Sequence, residues 1–203
     1  MDWVIWGRKE TEGKTGIWSK EWIYSMVACY YGKQNIQKLI QRTKWNKPFL
    51  VLDNGKQAYF NYSHTKKYLL AGFSEDADVG VDIEEIKRGH RSVNLITECL
   101  ASEERKYMKT LDKSKQREAL LKIWVQKEAI GKALGIGLIY DTSSFVARYK
   151  ADVHRESFQI AFGNRELIGQ VWREDDFWAC VTQAYRIKQK TGALGKEKGR
   201  QEY

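Results

Sequence analysis

The strongest constraint on the fold lies between Lys115 and Leu134, a helical stretch whose apolar residues leave almost no direction free. At about 100° per residue, Leu120, Leu121, Ile123, Trp124, Val125, Ala129, Ile130, Ala133 and Leu134 surround most of the helix axis. Such a helix has to be enclosed by other elements, and a chain of 203 residues is long enough to enclose it. Lys113-Ser114 precede the helix, and Gly135 and Gly137 stop it. Glu128 and Lys132 stand one turn apart in the sector of Leu121 and Val125, which sets an ion pair inside an apolar stripe. On a surface that pair is worth ~0.3–0.5 kcal/mol. Among apolar neighbours it demands a further partner, and spacing alone leaves both readings open.

The remaining elements follow from capping and alternation. Ser19 to Gly32 reads as a helix with an N-cap and a terminal Gly, and Ser102-Glu103-Glu104 as a second helix start. Phe49–Leu52, Ala58–Tyr62, Tyr68–Phe73 and Val79–Ile86 read as strands, as do Ser144–Tyr149, Ser157–Phe162, Leu167–Trp172 and Phe177–Tyr185. Helix, strands, helices, strands is the order of an α+β protein. We place an N-terminal α+β half at 1–87, a C-terminal α+β half at 88–185 and a basic tail at 186–203, with no Pro- or Gly-rich linker between them.

The run Val79-Gly80-Val81-Asp82-Ile83-Glu84 carries two carboxylates two positions apart. Alternation puts Val79, Val81 and Ile83 on one face and Gly80, Asp82 and Glu84 on the other. A half-buried strand turns such a face to water. Two like charges this close also repel, and a divalent cation would settle them. Gly80 would let a ligand approach the backbone. His64 ends the strand run Phe60-Asn61-Tyr62-Ser63-His64, near Lys66 and Lys67, where it is either a satisfied strand-end residue or a phosphate contact. His90 and His154 read as surface residues.

Composition narrows the class of function. Cys29, Cys99 and Cys180 are widely spaced and outside any C-x-x-C arrangement, so they are expected to be buried free thiols. No apolar run approaches the roughly 20 residues of a membrane helix, and no leader pattern opens the sequence, so a cytoplasmic protein is expected. A net charge of +9 points to anionic partners. A nucleic-acid-binding module is the competing class, but no Arg-rich recognition helix, RNP-type strand or zinc knuckle supports it.

Taken in order, Asn46-Lys47-Pro48-Phe49, Phe60-Asn61-Tyr62-Ser63-His64, Gly80-Val81-Asp82-Ile83-Glu84 and Trp124-Val125-Gln126-Lys127-Glu128-Ala129-Ile130-Gly131-Lys132 resemble the motifs of 4′-phosphopantetheinyl transferases. The length resembles the pseudo-dimeric, surfactin-synthetase-activating type, which implies two similar α+β halves, each a small antiparallel sheet packed on helices, in a monomer. The resemblance further implies Mg²⁺-dependent transfer of the phosphopantetheine arm of coenzyme A to a serine of an apo acyl or peptidyl carrier protein, releasing 3′,5′-ADP. It makes Asp82, Glu84 and Glu128 metal ligands, and Glu128 and Lys132 catalytic. Lys47, Ser63, His64 and Lys132 become coenzyme A contacts. Asn46 replaces the Gly that often precedes the family's Lys-Pro pair. The intact Asp82, Glu84, Glu128 and Lys132 argue against a silent interaction protein built on the same fold.

Overall fold

The structure, a computed structural model, describes residues 1–7, 20–86, 93–136, 142–150, 152–174 and 176–187. It is an α+β protein with two antiparallel sheets. The first sheet contains β1 (Asp2–Gly7), β2 (Ile40–Arg42), β3 (Pro48–Val51), β4 (Gln57–His64) and β5 (Tyr68–Ser74), in the order β1-β5-β4-β3-β2. Helices α1 (Lys20–Tyr31) and α2 (Ile36–Leu39) lie between β1 and β2 in sequence. The second sheet contains β6 (Asp78–Glu85), β7 (Arg155–Phe162), β8 (Arg165–Arg173) and β9 (Phe177–Arg186), in the order β6-β9-β8-β7. Helices α3 (Val93–Glu98), α4 (Ser102–Met108) and α5 (Lys113–Leu134) lie between β6 and β7. Both halves therefore share one plan, in which the first strand pairs with the last and helices are inserted after the first strand.

That plan shows where the sheets divide. β6 pairs along its whole length with β9, from Asp78↔Ala184 to Glu85↔Phe177. Hydrogen bonding thus separates the sheets between Ser74 and Asp78, upstream of the 87/88 boundary placed from the sequence. The sequence hid this because the partner of β6 lies about 100 residues downstream. β1, for which the sequence reading assigned no element, pairs antiparallel with β5 from Asp2↔Phe73 to Gly7↔Tyr68.

α5 is enclosed, as its apolar circumference requires. Leu121, Val125, Ala129, Ile130 and Ala133 share a buried cluster with Phe158, Leu167, Val171 and Trp178 of the second sheet. Ala119, Leu120 and Ile123 pack with Ile96, Leu100 and Met108 of α3, α4 and the residues between them. Each fully buried Leu, Ile or Val contributes about 1.5–3 kcal/mol. Asp112 caps the helix by accepting from the Lys115 N–H at 2.9 Å, and Gly135 ends it at φ 74°, a left-handed conformation that favours glycine.

One predicted strand is absent. Residues 145–150 keep the alternating exposure of a strand, with Phe145 and Ala147 buried and Val146 and Arg148 exposed, but they pair with no other strand. Helix side chains take the place of a partner. The Ala147 N–H donates to Glu104 Oε1 at 2.7 Å, and the Arg148 N–H donates to Gln126 Oε1 at 2.9 Å. Gln126 Nε2 returns a bond to the Arg148 carbonyl at 2.9 Å. The expectation of three buried thiols is also corrected: Cys180 is buried, Cys99 partly buried and Cys29 exposed on α1. His154 is exposed as expected. His90, Gly137 and the tail from 188 onward lie outside the described residues. Among the described residues no helix is long and apolar enough to cross a membrane.

Candidate active site

β6 is an edge strand of its sheet, yet both of its faces are covered. Val79, Val81 and Ile83 pack with Leu70 of the first sheet and with Trp172, Phe177, Ala179 and Val181 of the second. Gly80 faces α5 so closely that a Cβ there would stand 2.0 Å from the Ala129 carbonyl oxygen and 2.3 Å from the Ala133 nitrogen. The glycine admits a helix backbone, which corrects the expectation that it admits a ligand. Asp82 and Glu84, on the same face, are directed to α5 rather than to bulk water.

Asp82 is 4% exposed. Its Oδ1 accepts from Ser63 Oγ at 2.7 Å and from Lys132 Nζ at 2.7 Å. Its Oδ2 is buried and has no hydrogen-bond partner. Lys132 Nζ donates a second bond to the Val81 carbonyl at 3.1 Å. Lys132, one turn from Glu128 inside the apolar stripe, thus finds its ion-pair partner in Asp82.

Electrostatics bind the group together. Burial pushes the Glu128 carboxyl up to about 7, and the charge of Asp82 pushes the same way while Lys132 opposes. Burial likewise raises Glu84 to about 7, assisted by Asp82 and Glu128 and opposed by Lys132 and by a hydrogen bond from the Trp124 side chain. Burial alone would lower the Lys132 ammonium, but the Asp82 and Glu128 carboxylates outweigh it and hold Lys132 above its usual value. Three carboxylates interact with one another across two elements, and Lys132 is the ammonium they share.

Among the described residues no three His, Cys, Asp or Glu side chains are already arranged to hold a metal ion. The donor set nevertheless fits a hard divalent cation. It is made of carboxylate oxygens, one of them buried without a partner, and the repulsion within it is balanced by a single ammonium.

The other expected site residues are more scattered. His64 is exposed at the end of β4. Lys47 is 7% exposed; its Nζ donates to Asp78 Oδ1 at 3.0 Å and to the Ala133 carbonyl at 2.7 Å, so it ties the first sheet to β6 and to the end of α5. Burial pushes its ammonium below the usual lysine range, partly offset by Asp78. The sequence reading assigned nothing to Asn61, whose Oδ1 accepts from the Val81 N–H at 3.0 Å. Its alternation with Ser63 along β4 was the available signal, since i and i+2 share a face.

A model of the 4′-phosphopantetheinyl transferase superfamily matches residues 78–182, the segment from β6 to β9 that carries Asp82, Glu84, Glu128 and Lys132. The chain belongs to the 4′-phosphopantetheinyl transferase superfamily. Two relatives within that superfamily agree. A putative 4′-phosphopantetheinyl transferase of Synechocystis sp. is 29% identical over 142 residues, covering 66% of this chain and 57% of the relative. The 4′-phosphopantetheinyl transferase psf-1 of Bacillus pumilus is 33% identical over 94 residues, covering 46% of this chain and 39% of the relative. The chain thus spans about half the length of the curated relatives it matches. The superfamily match excludes β4 and the turn before β3, so Lys47, Ser63 and His64 lie outside it.

Proposed function

We propose that this protein transfers the 4′-phosphopantetheine arm of coenzyme A to a serine of an apo acyl or peptidyl carrier protein, with Mg²⁺ at the carboxylate cluster, releasing 3′,5′-ADP. The observation that carries this reading is the meeting of Asp82 on β6 with Lys132 on α5, Oδ1 to Nζ 2.7 Å, beside two carboxylates raised to about 7. Asp82, Glu84 and Glu128 would hold the ion. When bound there, Mg²⁺ supplies a Lewis acid that grips a diphosphate and neutralises the leaving nucleotide.

The chain's own residues do the rest. Glu128, the carboxylate that α5 brings to the cluster, would take the proton from the attacking serine hydroxyl. Lys132 is held charged by the same carboxylates, so its ammonium offers fixed positive charge to the phosphoryl group in transfer. His64, exposed at the strand end, is free to contact a coenzyme A phosphate, and Lys47 keeps one N–H beyond the two it donates. The net charge of +9 favours both anionic coenzyme A and a carrier with an acidic surface. With both halves of the site on one chain, a monomer acting in the cytoplasm suffices.

The test is direct. Purified protein, coenzyme A and Mg²⁺ are mixed with a panel of apo carriers, and intact mass is followed for gain of the arm. Asp82→Ala and Glu128→Ala are expected to lower the transfer rate by about 100-fold or more while keeping the far-ultraviolet spectrum of the folded protein. No adduct on any carrier that a known transferase modifies, or a near-full rate in either variant at matched Mg²⁺, would overturn the reading.

A further inference from the structure

Asp176, in the turn between β8 and β9, is bonded to both halves at once. Its Oδ1 accepts from the Tyr68 hydroxyl at 2.8 Å, and its Oδ2 pairs with Lys67 Nζ at 3.7 Å. Its backbone carbonyl accepts from the Ile86 N–H at 2.8 Å, one residue beyond the end of β6. Next to it in the chain, the Phe177 ring lies 4.8 Å from the Tyr68 ring between centroids. Lys67 and Tyr68 stand where β4 turns into β5, and Ile86 follows the strand that carries Asp82 and Glu84.

The turn that Asp176 holds is braced within itself. Thr65 is 7% exposed, and its Oγ1 accepts from the Lys67 N–H at 3.1 Å and from the Tyr68 N–H at 3.0 Å. The Thr65 N–H in turn donates to the Tyr68 carbonyl at 2.8 Å. His64 directly precedes Thr65 and lies opposite Leu69 in the β4–β5 register. Where Tyr68 is held, His64 is therefore held as well. Of the two ties to Asp176, the hydroxyl-to-carboxylate bond is charge-assisted and the stronger one. The partly exposed Lys67 pair at 3.7 Å adds little.

We propose that Asp176 is a positioning residue for coenzyme A binding. Through Tyr68 it fixes His64 relative to β6, and so sets the span between a phosphate contact on the first half and the carboxylate cluster on the second. The inference rests on the coenzyme A reading of His64 proposed above. A ligand that bridges two halves binds well only when both contacts already stand at its own spacing, because otherwise the turn has to be ordered on binding.

The experiment uses the full chain, with coenzyme A binding followed by calorimetry and transfer kinetics on an apo carrier that wild type modifies. Tyr68→Phe, which keeps the ring against Phe177, and Asp176→Ala are each expected to weaken coenzyme A by about 10-fold and to raise its KM to match, with kcat at saturating coenzyme A within about 2-fold of wild type. Asp176→Asn keeps an acceptor for the Tyr68 hydroxyl and should retain most of the affinity. Since the tie acts through His64, adding Tyr68→Phe to a His64→Ala chain should cost no further affinity. Full additivity in that pair overturns the inference, as does wild-type affinity in both Tyr68→Phe and Asp176→Ala, or a fall in kcat with KM unchanged. Wild-type protein that binds no coenzyme A sinks the proposed function, and His64→Ala that binds it like wild type sinks the His64 contact. Either result is seen before a Tyr68 or Asp176 variant is compared, and takes this inference with it.

Discussion

Glu84 and Glu128 show how a residue's chemistry is made by its surroundings. Each begins from an ordinary carboxylate value of 4.5, and each is raised to about 7 by burial first and by the charge of Asp82 second. The sign for stability follows by linkage. A carboxyl that binds its proton more tightly when folded contributes stability that is fully present below 4.5 and is lost as pH rises through about 7. In chelator, the melting temperature should therefore fall between about pH 5 and about pH 8 more steeply in wild type than in Glu128→Gln, which cannot ionise at that position. Added Mg²⁺ should recover more of that loss in wild type than in the variant. Identical pH profiles for wild type and Glu128→Gln in differential scanning calorimetry would contradict the coupling. Lys132 shows the opposite balance, because the carboxylates around it outweigh the cost of burying its ammonium.

At the scale of elements, α5 does more than fill the core. It carries two further lysines with 0% exposure, Lys122 and Lys127. Lys122 Nζ donates to the carbonyls of Lys150 at 2.9 Å and Val153 at 2.7 Å and pairs with Glu156. Lys127 Nζ donates to the carbonyls of Cys99 at 2.7 Å and Thr142 at 2.6 Å and pairs with Glu104 at 3.0 Å. These side chains serve backbone carbonyls that lie outside the α-helices and sheets. Breaking a buried pair strands its partner's charge, at a cost of about 3–5 kcal/mol. Lys127→Met should lose about that much in urea unfolding, and Lys127→Met with Glu104→Gln should recover part of it, since the stranded carboxylate is gone. A single variant within about 1 kcal/mol of wild type would show the pair to be marginal.

For the whole molecule, the decisive surface is the one where the first sheet closes on β6. Val79 and Val81 are fully buried where Leu70 and Gly72 of the first sheet close on them. Asp78 accepts from Lys47 at 3.0 Å and from Arg165 at 3.3 Å, one donor from each half. One buried cluster, Leu70 with Val79, Val81, Ile83 and Val181, draws on both halves, so unfolding is expected as a single transition. Near-ultraviolet dichroism from the tryptophans and far-ultraviolet dichroism should give the same midpoint, and two separated midpoints would mean that the halves unfold independently.

Much of this was legible in the sequence because it is local. Helix enclosure, the strand faces of β6 and the stop at Gly135 follow from period, composition and φ preference within a few residues. The candidate set Asp82, Glu84, Glu128 and Lys132 came from the resemblance of the ordered motifs to the family. What the tertiary structure alone decided is long-range: the pairing of β6 with β9, the helix backbone seated on Gly80, Glu104 and Gln126 acting as partners for an unpaired segment, and the Ser63 hydroxyl committed to Asp82. A one-dimensional pattern states which face a side chain takes. It does not state which element, 20 or 100 residues away, will meet that face, because that choice is made by packing and by hydrogen-bonding groups left over from other elements.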